Sequence, residues 1–261
     1  MIPIALTIAG SDPSGGAGLQ ADLKTFHQFG VYGEAVVSLI TVQNSVSVRR
    51  VEVLDPELVR LQLNAVLTDI RPHAIKTGAL GNAGVVEAVA DALAAIAFDR
   101  PLIVDPVLLS TTGAPLFDAA GRKALVERLF PRAYLLMPNL AEAAILAGFP
   151  VTDLESMHQA AKVLRAMGPR NVLIKGGHLT GDAVDLLLTE TAHAKPFSAR
   201  RIEARHTHGT GCTYSAAITA ELAKGTGLVE AIRSAKAFIS KAIETAPQLG
   251  AGRGPLNHFA K

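Results

Sequence analysis

The chain reads as short apolar runs alternating with longer stretches in which apolar residues recur every three or four positions. Residues 4–9 form a nearly continuous apolar run of strand length, and comparable runs stand at 35–42, 74–76, 102–104, 134–137, 172–175 and 183–188. Runs of this length without strict alternation are what strands buried on both faces look like. Pro106 closes the strand at 102–104, because proline cannot donate to a ladder. Between the strands, residues 19–26, 58–67, 85–97, 140–147 and 157–167 carry helical periodicity, with Leu58, Leu61 and Ala65 on one face of the second helix. Two further helices, 211–223 and 229–245, close the chain. Alternation of this kind predicts an α/β fold, a mostly parallel central sheet covered by helices on both faces as a three-layer αβα sandwich. No repeat, low-complexity linker or shift in composition divides residues 1–261, so a single domain is expected.

Composition narrows the class of protein. With 261 residues, 49% of them hydrophobic, the chain has the material for one large core. Its 25 basic and 23 acidic side chains nearly cancel, aromatics are 5% and tryptophan is absent, so neither a basic face nor stacking platforms argue for nucleic acid. No window has the apolar length of a membrane span, and Met1-Ile2-Pro3 lacks the charged start of a signal peptide. The single cysteine excludes an intrachain disulfide, and a cytoplasmic location is expected.

In parallel sheets chemistry gathers beyond the carboxyl ends of the strands. The residues found there are Gly10-Ser11-Asp12, Gln43-Asn44-Ser45, Thr77-Gly78, Asp105-Pro106, Pro138-Asn139 and Gly176-Gly177, nearly all polar or glycine. A turn-rich edge would also use such residues, but it has no need of an amide, carboxylates and the adjacent Lys175 at one place. Late in the chain, His208-Gly209-Thr210-Gly211-Cys212 leads straight into a helix. Glycines there let backbone N–H groups approach an anion without a Cβ in the way. Read alone, this segment is either an anion site with a reactive thiol or a glycine turn beside a structural cysteine.

Two nucleotide fingerprints are excluded. Gly16-Ala17-Gly18-Leu19-Gln20-Ala21 matches the dinucleotide pattern G-x-G-x-x-A, but the acidic residue that should end the second strand is Gln43, and Glu34 precedes that strand. No G-x-x-x-x-G-K-[ST] loop occurs anywhere in the chain.

The ordered set of motifs is more specific than any one of them. Residues 8–18 (Ile-Ala-Gly-Ser-Asp-Pro-Ser-Gly-Gly-Ala-Gly) with Gln20-Ala21-Asp22-Leu23-Lys24-Thr25 resemble the start of hydroxymethylpyrimidine/phosphomethylpyrimidine kinases, thiamine-biosynthesis enzymes of the ribokinase-like superfamily. Matches continue through Gln43-Asn44-Ser45, Ile75-Lys76-Thr77-Gly78, Val104-Asp105-Pro106-Val107, Pro138-Asn139-Leu140-Ala141-Glu142-Ala143, Lys175-Gly176-Gly177-His178 and Thr207-His208-Gly209-Thr210-Gly211-Cys212 to the tail Gly254-Pro255-Leu256-Asn257-His258-Phe259. The resemblance spans the chain.

That resemblance implies a ribokinase-like fold and an ATP- and Mg²⁺-dependent kinase. It would phosphorylate 4-amino-5-hydroxymethyl-2-methylpyrimidine and then the resulting monophosphate. By the same resemblance Asp22 and Gln43 hold the aminopyrimidine, Gly10 gives close backbone approach, and Val107 and Ala79 wall the ring. The amides from Gly209 through Thr210 and Gly211 to Cys212 receive the transferring phosphoryl group, and Lys175 neutralises its charge. Asn139 and Thr207 lie on the ATP side, Asn139 also being a candidate helix N-cap, and Asp105 and Glu142 are the acidic pair near magnesium. Cys212 stands where most ribokinase-like enzymes carry a catalytic aspartate. A helix N-terminus lowers a thiol's pKa, so Cys212 is expected to take the hydroxyl proton as thiolate, or else to give only its amide. The family resemblance also implies a homodimer.

The chain departs from the family pattern at Ala79, where methionine is usual, and at Thr111, where lysine is usual. The first change enlarges the room beside the ring. The second removes a charge that bears on the second, more anionic phosphorylation. A pyridoxal kinase and a non-catalytic pyrimidine-binding protein on the same scaffold are the alternative readings.

Overall fold

A computed structural model describes residues 2–108, 117–177 and 181–261; Thr111 and His178 lie outside them. Among the described residues nine strands form one sheet: β1 (Ile4–Ser11), β2 (Tyr32–Gln43), β3 (Val48–Val53), β4 (Ala74–Thr77), β5 (Leu102–Val104), β6 (Leu135–Leu136), β7 (Asn171–Ile174), β8 (Ala183–Leu188) and β9 (Ala194–Ala199). Their spatial order is β3-β2-β1-β4-β5-β6-β7-β8-β9. The six strands from β2 to β7 in that order run parallel, and β3, β8 and β9 pair antiparallel at the two margins. The order reverses at β1, whose neighbours are β2 and β4, and this is the switch point at which parallel sheets form binding crevices.

Eight α-helices among the described residues cover the sheet: α1 (Gly18–Gln28), α2 (Pro56–Asp69), α3 (Ala83–Ala95), α4 (Ala119–Ala124), α5 (Leu140–Ala147), α6 (Leu154–Ala166), α7 (Thr210–Ala223) and α8 (Leu228–Glu244). Two apolar cores lie on opposite sides of the sheet. Leu6, Ile8, Ile75, Val104 and Val172 pack with Leu63, Val89 and Leu164, while Ala5, Ala74, Ile103, Leu135 and Leu173 pack with Phe26, Ala217 and Ile232. The alternation of side chains along each strand makes that division, so residues two places apart share a face.

The predicted strands and helices are all present, with shifts of a few residues at their ends. Glu34 lies inside β2, which begins earlier than expected, rather than before it. In α2 the buried stripe is Val59, Leu63 and Leu67, whereas Leu58 and Leu61 are exposed. Val59, Leu63 and Leu67 are themselves an apolar stripe at helical spacing, and on the flank of that face Gln62 docks on β2, donating to the Val37 carbonyl and accepting from the Val37 N–H. Several elements escape the hydrophobic pattern, among them the π-helical and 3-10 turns at Leu125–Leu129 and Phe130–Arg132. The strand β3 is an exposed, charged edge (Val-Arg-Arg-Val-Glu-Val), β9 carries Pro196 on the opposite edge, and α4 is six residues long.

Candidate active site

Strand parity assembles the site. Thr7, Lys76, Asp105 and Lys175 each fall in step with the strand positions that feed the core beneath α1, α7 and α8, and the last two stand one residue beyond β5 and β7. All four therefore project toward the helix whose N-terminus carries Gly209 to Cys212. Lys175 Nζ donates to Asp105 Oδ1 at 2.8 Å, and Ser215 in α7 donates to Asp105 Oδ2 at 3.1 Å. A Cβ added to Gly211 would stand 3.5 Å from Lys175 Nζ and 3.8 Å from Asp105 Oδ2, so the helix start lies directly on this ion pair.

Among the described residues no side chain caps α7. Its N-cap, Gly209, adopts φ 81°, and a Cβ there would meet the Gly16 carbonyl at 1.8 Å. Glycine is required on both counts. The open first turn offers N–H groups and the positive end of the helix dipole to an anion. Burial presses Lys175 toward neutrality, but the Asp105 and Glu142 carboxylates outweigh it and hold the ammonium above its usual range. A fixed cation beside an uncapped helix start is suited to a phosphoryl group.

Asn139 is the N-cap of α5. Its side chain accepts from the Glu142 N–H at 2.9 Å, and Glu142 Oε2 accepts from the Asn139 N–H at 2.8 Å, a reciprocal capping box. Glu142 Oε1 also accepts from the Leu108 N–H at 3.3 Å. Burial pushes the Glu142 carboxyl up while Lys175 pulls it down. Thr207 accepts at its carbonyl from the Thr210 hydroxyl at 2.8 Å, closing the turn before α7.

At the other end of the crevice the structure revises the expectation for Asp22. Its carboxylate is sealed from solvent, accepting from Thr7 Oγ1 at 2.6 Å and from Lys76 Nζ at 2.7 Å. A carboxylate so enclosed anchors Lys76 and does not face a ring. Lys76, fully buried in an apolar strand, is the residue that pattern reading misses; an isolated lysine inside Ala-Ile-Lys-Thr is the available signal. Gln43 ends β2 half-buried, with its carboxamide against His208. Val107 and Ala79 are half-buried. Gly10 is buried, and a Cβ on it would lie 2.4 Å from Leu39 Cδ1, so its small size serves the packing of β1 against β2.

Cys212 is half-buried in the first turn of α7. Burial pushes its thiol up to about 11, against the pull of Lys76 and of the Gly18 N–H. The thiol is therefore protonated at neutral pH, and the expected thiolate is not supported: desolvation outweighs Lys76 and the Gly18 N–H.

A glycine loop joins the two ends. Asp12 Oδ1 accepts from the Ser14 N–H and hydroxyl, and Oδ2 accepts from the Ala17 N–H and meets His208 Nε2 at 2.8 Å. The loop before α1 is thereby tied to the loop before α7. Two surface cavities, of about 260 and 480 Å³, include none of these residues.

The phosphomethylpyrimidine kinase family model matches residues 12–257. The chain belongs to that family. A hydroxymethylpyrimidine/phosphomethylpyrimidine kinase of Staphylococcus aureus is 45% identical over 260 residues, covering 98% of this chain and 94% of that protein. Among solved structures, an ADP complex of Bacillus subtilis pyridoxal kinase superposes with a TM-score of 0.91 at 38% identity, covering 100% of this chain and 98% of the other. The phosphomethylpyrimidine kinase of Clostridium difficile gives 0.81 at 38% identity, with 93% and 100% covered. The ribokinase-like architecture of this family member agrees with both.

Proposed function

We propose that this family member transfers the γ-phosphoryl group of ATP to the hydroxymethyl oxygen of 4-amino-5-hydroxymethyl-2-methylpyrimidine, and then to the monophosphate, giving the pyrophosphate used in thiamine biosynthesis. The observation that carries the reading is the Lys175–Asp105 pair lying under the uncapped start of α7. Phosphoryl transfer asks chiefly for alignment and for neutralisation of charge on the migrating group. The N–H groups of Gly209, Gly211 and Cys212 receive its equatorial oxygens, the Thr210 N–H being held by the Thr207 carbonyl, and Lys175 offsets the charge shared with the leaving diphosphate. As the substrate oxygen bonds to phosphorus, the bond from the γ-phosphorus to the β–γ bridging oxygen breaks and ADP leaves, while the hydroxyl proton passes to an oxygen of the transferred phosphoryl group and on to water; Cys212 contributes its backbone amide to this site.

Gln43 supplies hydrogen bonds to the ring, with Val107 and Ala79 as walls and Gly10 beneath. Asn139 and Thr207 shape the nucleotide side. Asp105 and Glu142 are hard oxygen donors with lone pairs to spare, and among the described residues no group of three or more ligating side chains converges. That set fits a hydrated magnesium ion arriving with ATP, which keeps most of its waters and supplies positive charge to the phosphates. A homodimer is supported by the family and by apolar side chains left exposed on the β2–β3 hairpin, Ile40, Val42 and Val46. A single continuous sheet supports one domain, and the lone free thiol supports a cytoplasmic location. Among the described residues no helix is long and apolar enough to cross a membrane.

Pyridoxal is the second reading, favoured by the small side chain at Ala79. The test is ³¹P NMR of the purified protein with MgATP and the hydroxymethylpyrimidine, beside a parallel sample containing pyridoxal. Successive monophosphate and pyrophosphate signals are expected. Turnover of pyridoxal alone would transfer the assignment, and turnover of neither would leave a binding protein.

A further inference from the structure

We propose that His208 is a positioning residue for substrate selection: it fixes which end of the Gln43 carboxamide faces the pyrimidine. The inference rests on the reading that Gln43 holds the ring.

Two groups converge on one imidazole nitrogen. Asp12 Oδ2 is 2.8 Å from His208 Nε2, and the Gln43 carboxamide nitrogen is placed 3.1 Å from the same atom. Burial pushes the Asp12 carboxyl up, but hydrogen bonds from His208 and Ser14 outweigh it and hold the group below its usual range. It is a carboxylate, so Nε2 must carry a proton, whether the ring is neutral or cationic. A protonated ring nitrogen accepts nothing, so the amide N–H₂ cannot be the end that faces it.

A half-turn of the carboxamide, which exchanges two ends of nearly the same shape, resolves the conflict. Oε1 then shares the single Nε2–H with Asp12 Oδ2 in a three-centre bond, and the N–H₂ group is directed away from the imidazole. Among the described residues the carboxamide has no second hydrogen-bond partner. It is thus a donor held ready for an acceptor, and an unprotonated pyrimidine nitrogen is one.

The imidazole is held too firmly to adapt. It is buried, a Cβ on Gly16 would come within 2.6 Å of its Cδ2, and its backbone N–H donates to the Gly254 carbonyl. Asp12 is equally fixed by Ser14 and Ala17. The donor at Gln43 is therefore set by a chain of three residues from three parts of the sequence. It favours rings that offer an acceptor nitrogen at that position over rings with a C–H there.

Steady-state kinetics with saturating MgATP test this, using the hydroxymethylpyrimidine and its deaza analogues, in which one ring nitrogen is replaced by C–H. His208→Leu fills the space without a donor, whereas His208→Gln returns an N–H at the reach of Nε2. His208→Leu is expected to raise KM for the pyrimidine roughly tenfold, the scale of one hydrogen bond. KM for ATP and for the matching deaza analogue should stay within about threefold, and His208→Gln should recover most of the loss. Equal effects on pyrimidine and both analogues, or no difference between the two variants, would mean a structural role and overturn the proposal. Gln43→Ala separates the underlying reading. An unchanged pyrimidine KM there removes Gln43 from the ring, while a raised KM alongside an indiscriminate His208→Leu overturns the His208 proposal alone. The wild-type protein gives an answer independent of variant folding: ¹⁵N shifts of the His208 ring must report a protonated Nε2, and a bare Nε2 would end the argument.

Discussion

Lys76 Nζ and Asp22 Oδ1 lie 2.7 Å apart with neither side chain exposed at all. Burial presses the lysine toward neutrality, but the carboxylates of Asp22 and Asp105 outweigh it and hold the ammonium above its usual range. Thr7, the register partner of Lys76 across β1 and β4, donates to the other carboxylate oxygen. The charge is thereby stored under the crevice without solvent.

Removing one member leaves the other buried and unpaired. Asp22→Asn is expected to lower the unfolding free energy by about 3–5 kcal/mol, while the joint replacement Asp22→Leu with Lys76→Met recovers most of it. Urea denaturation of the single and joint variants measures the difference. If the single change is as stable as the unaltered chain, the pair does not carry the charge as described.

Lys175 is expected to act on the chemical step. Lys175→Met should reduce kcat about 100- to 1,000-fold, the scale for losing one preorganised electrostatic group, and should leave KM for the pyrimidine within about threefold. Its ammonium lies on the phosphoryl side, against Asp105 and Gly211. A loss expressed only in the pyrimidine KM would place Lys175 elsewhere.

Much of this edge is legible in the sequence because residues distant along the chain must meet where parallel strands end. Asp105, Lys175 and the glycine segment at 209–212 can be read that way, and the structure joins them. Asn139, read from the sequence as a candidate N-cap as well as a phosphate-side residue, is the cap of α5. The Asp22–Lys76 pair is hidden because a pattern of apolar positions gives no sign of which charges neutralise each other in the interior. The edge strands β3 and β9 are hidden for the opposite reason, being too polar to read as strands. The pattern is ambiguous in α2, where Leu58 with Leu61 and Val59 with Leu63 and Leu67 offer two apolar stripes, and the second is the one buried.

Cys212 should prove dispensable as a base. With its thiol pushed up to about 11, Cys212→Ala and Cys212→Asp are expected to differ little from each other, and kcat should show no thiol inflection between pH 6 and about 9. The sequence alone points to the aspartate variant as the better enzyme. A clear advantage of Cys212→Asp over Cys212→Ala, with a pH profile bent near neutrality, would restore the thiolate.

His258 ties the C-terminal segment to the start of α7 through a 3.1 Å hydrogen bond with Thr213 Oγ1. Burial, helped by the nearby Lys24, lowers its pKa from 6.5 to about 4. Below pH 6.5 the unfolded chain binds a proton that the native state refuses, so stability falls as the pH drops from about 6.5 toward 4. The full shift corresponds to about 3 kcal/mol. His258→Asn should flatten this part of the stability curve, as followed by thermal unfolding across the same range. An unchanged acid slope would show that the imidazole protonates freely in the folded chain.

Glu34 works in the other direction. Burial, with Asp69 adding like charge, raises its carboxyl from 4.5 to about 7, and Oε2 is buried without a hydrogen-bond partner among the described residues. The folded state then holds a proton that the unfolded chain has already released. Stability from this group is undiminished below pH 4.5, falls as the pH rises between 4.5 and about 7, and stays reduced above that. A shift of this size amounts to about 3 kcal/mol. Glu34→Gln, which cannot ionise, is expected to match the unaltered chain near pH 4.5 and to be more stable by up to that amount at pH 8. Because Glu34 stands near the start of β2 and Gln43 at its end, KM for the pyrimidine should be unaffected. Urea midpoints at the two pH values decide the matter: if the Glu34→Gln variant gains no more over the unaltered chain at pH 8 than at 4.5, Glu34 ionises at no cost in the fold.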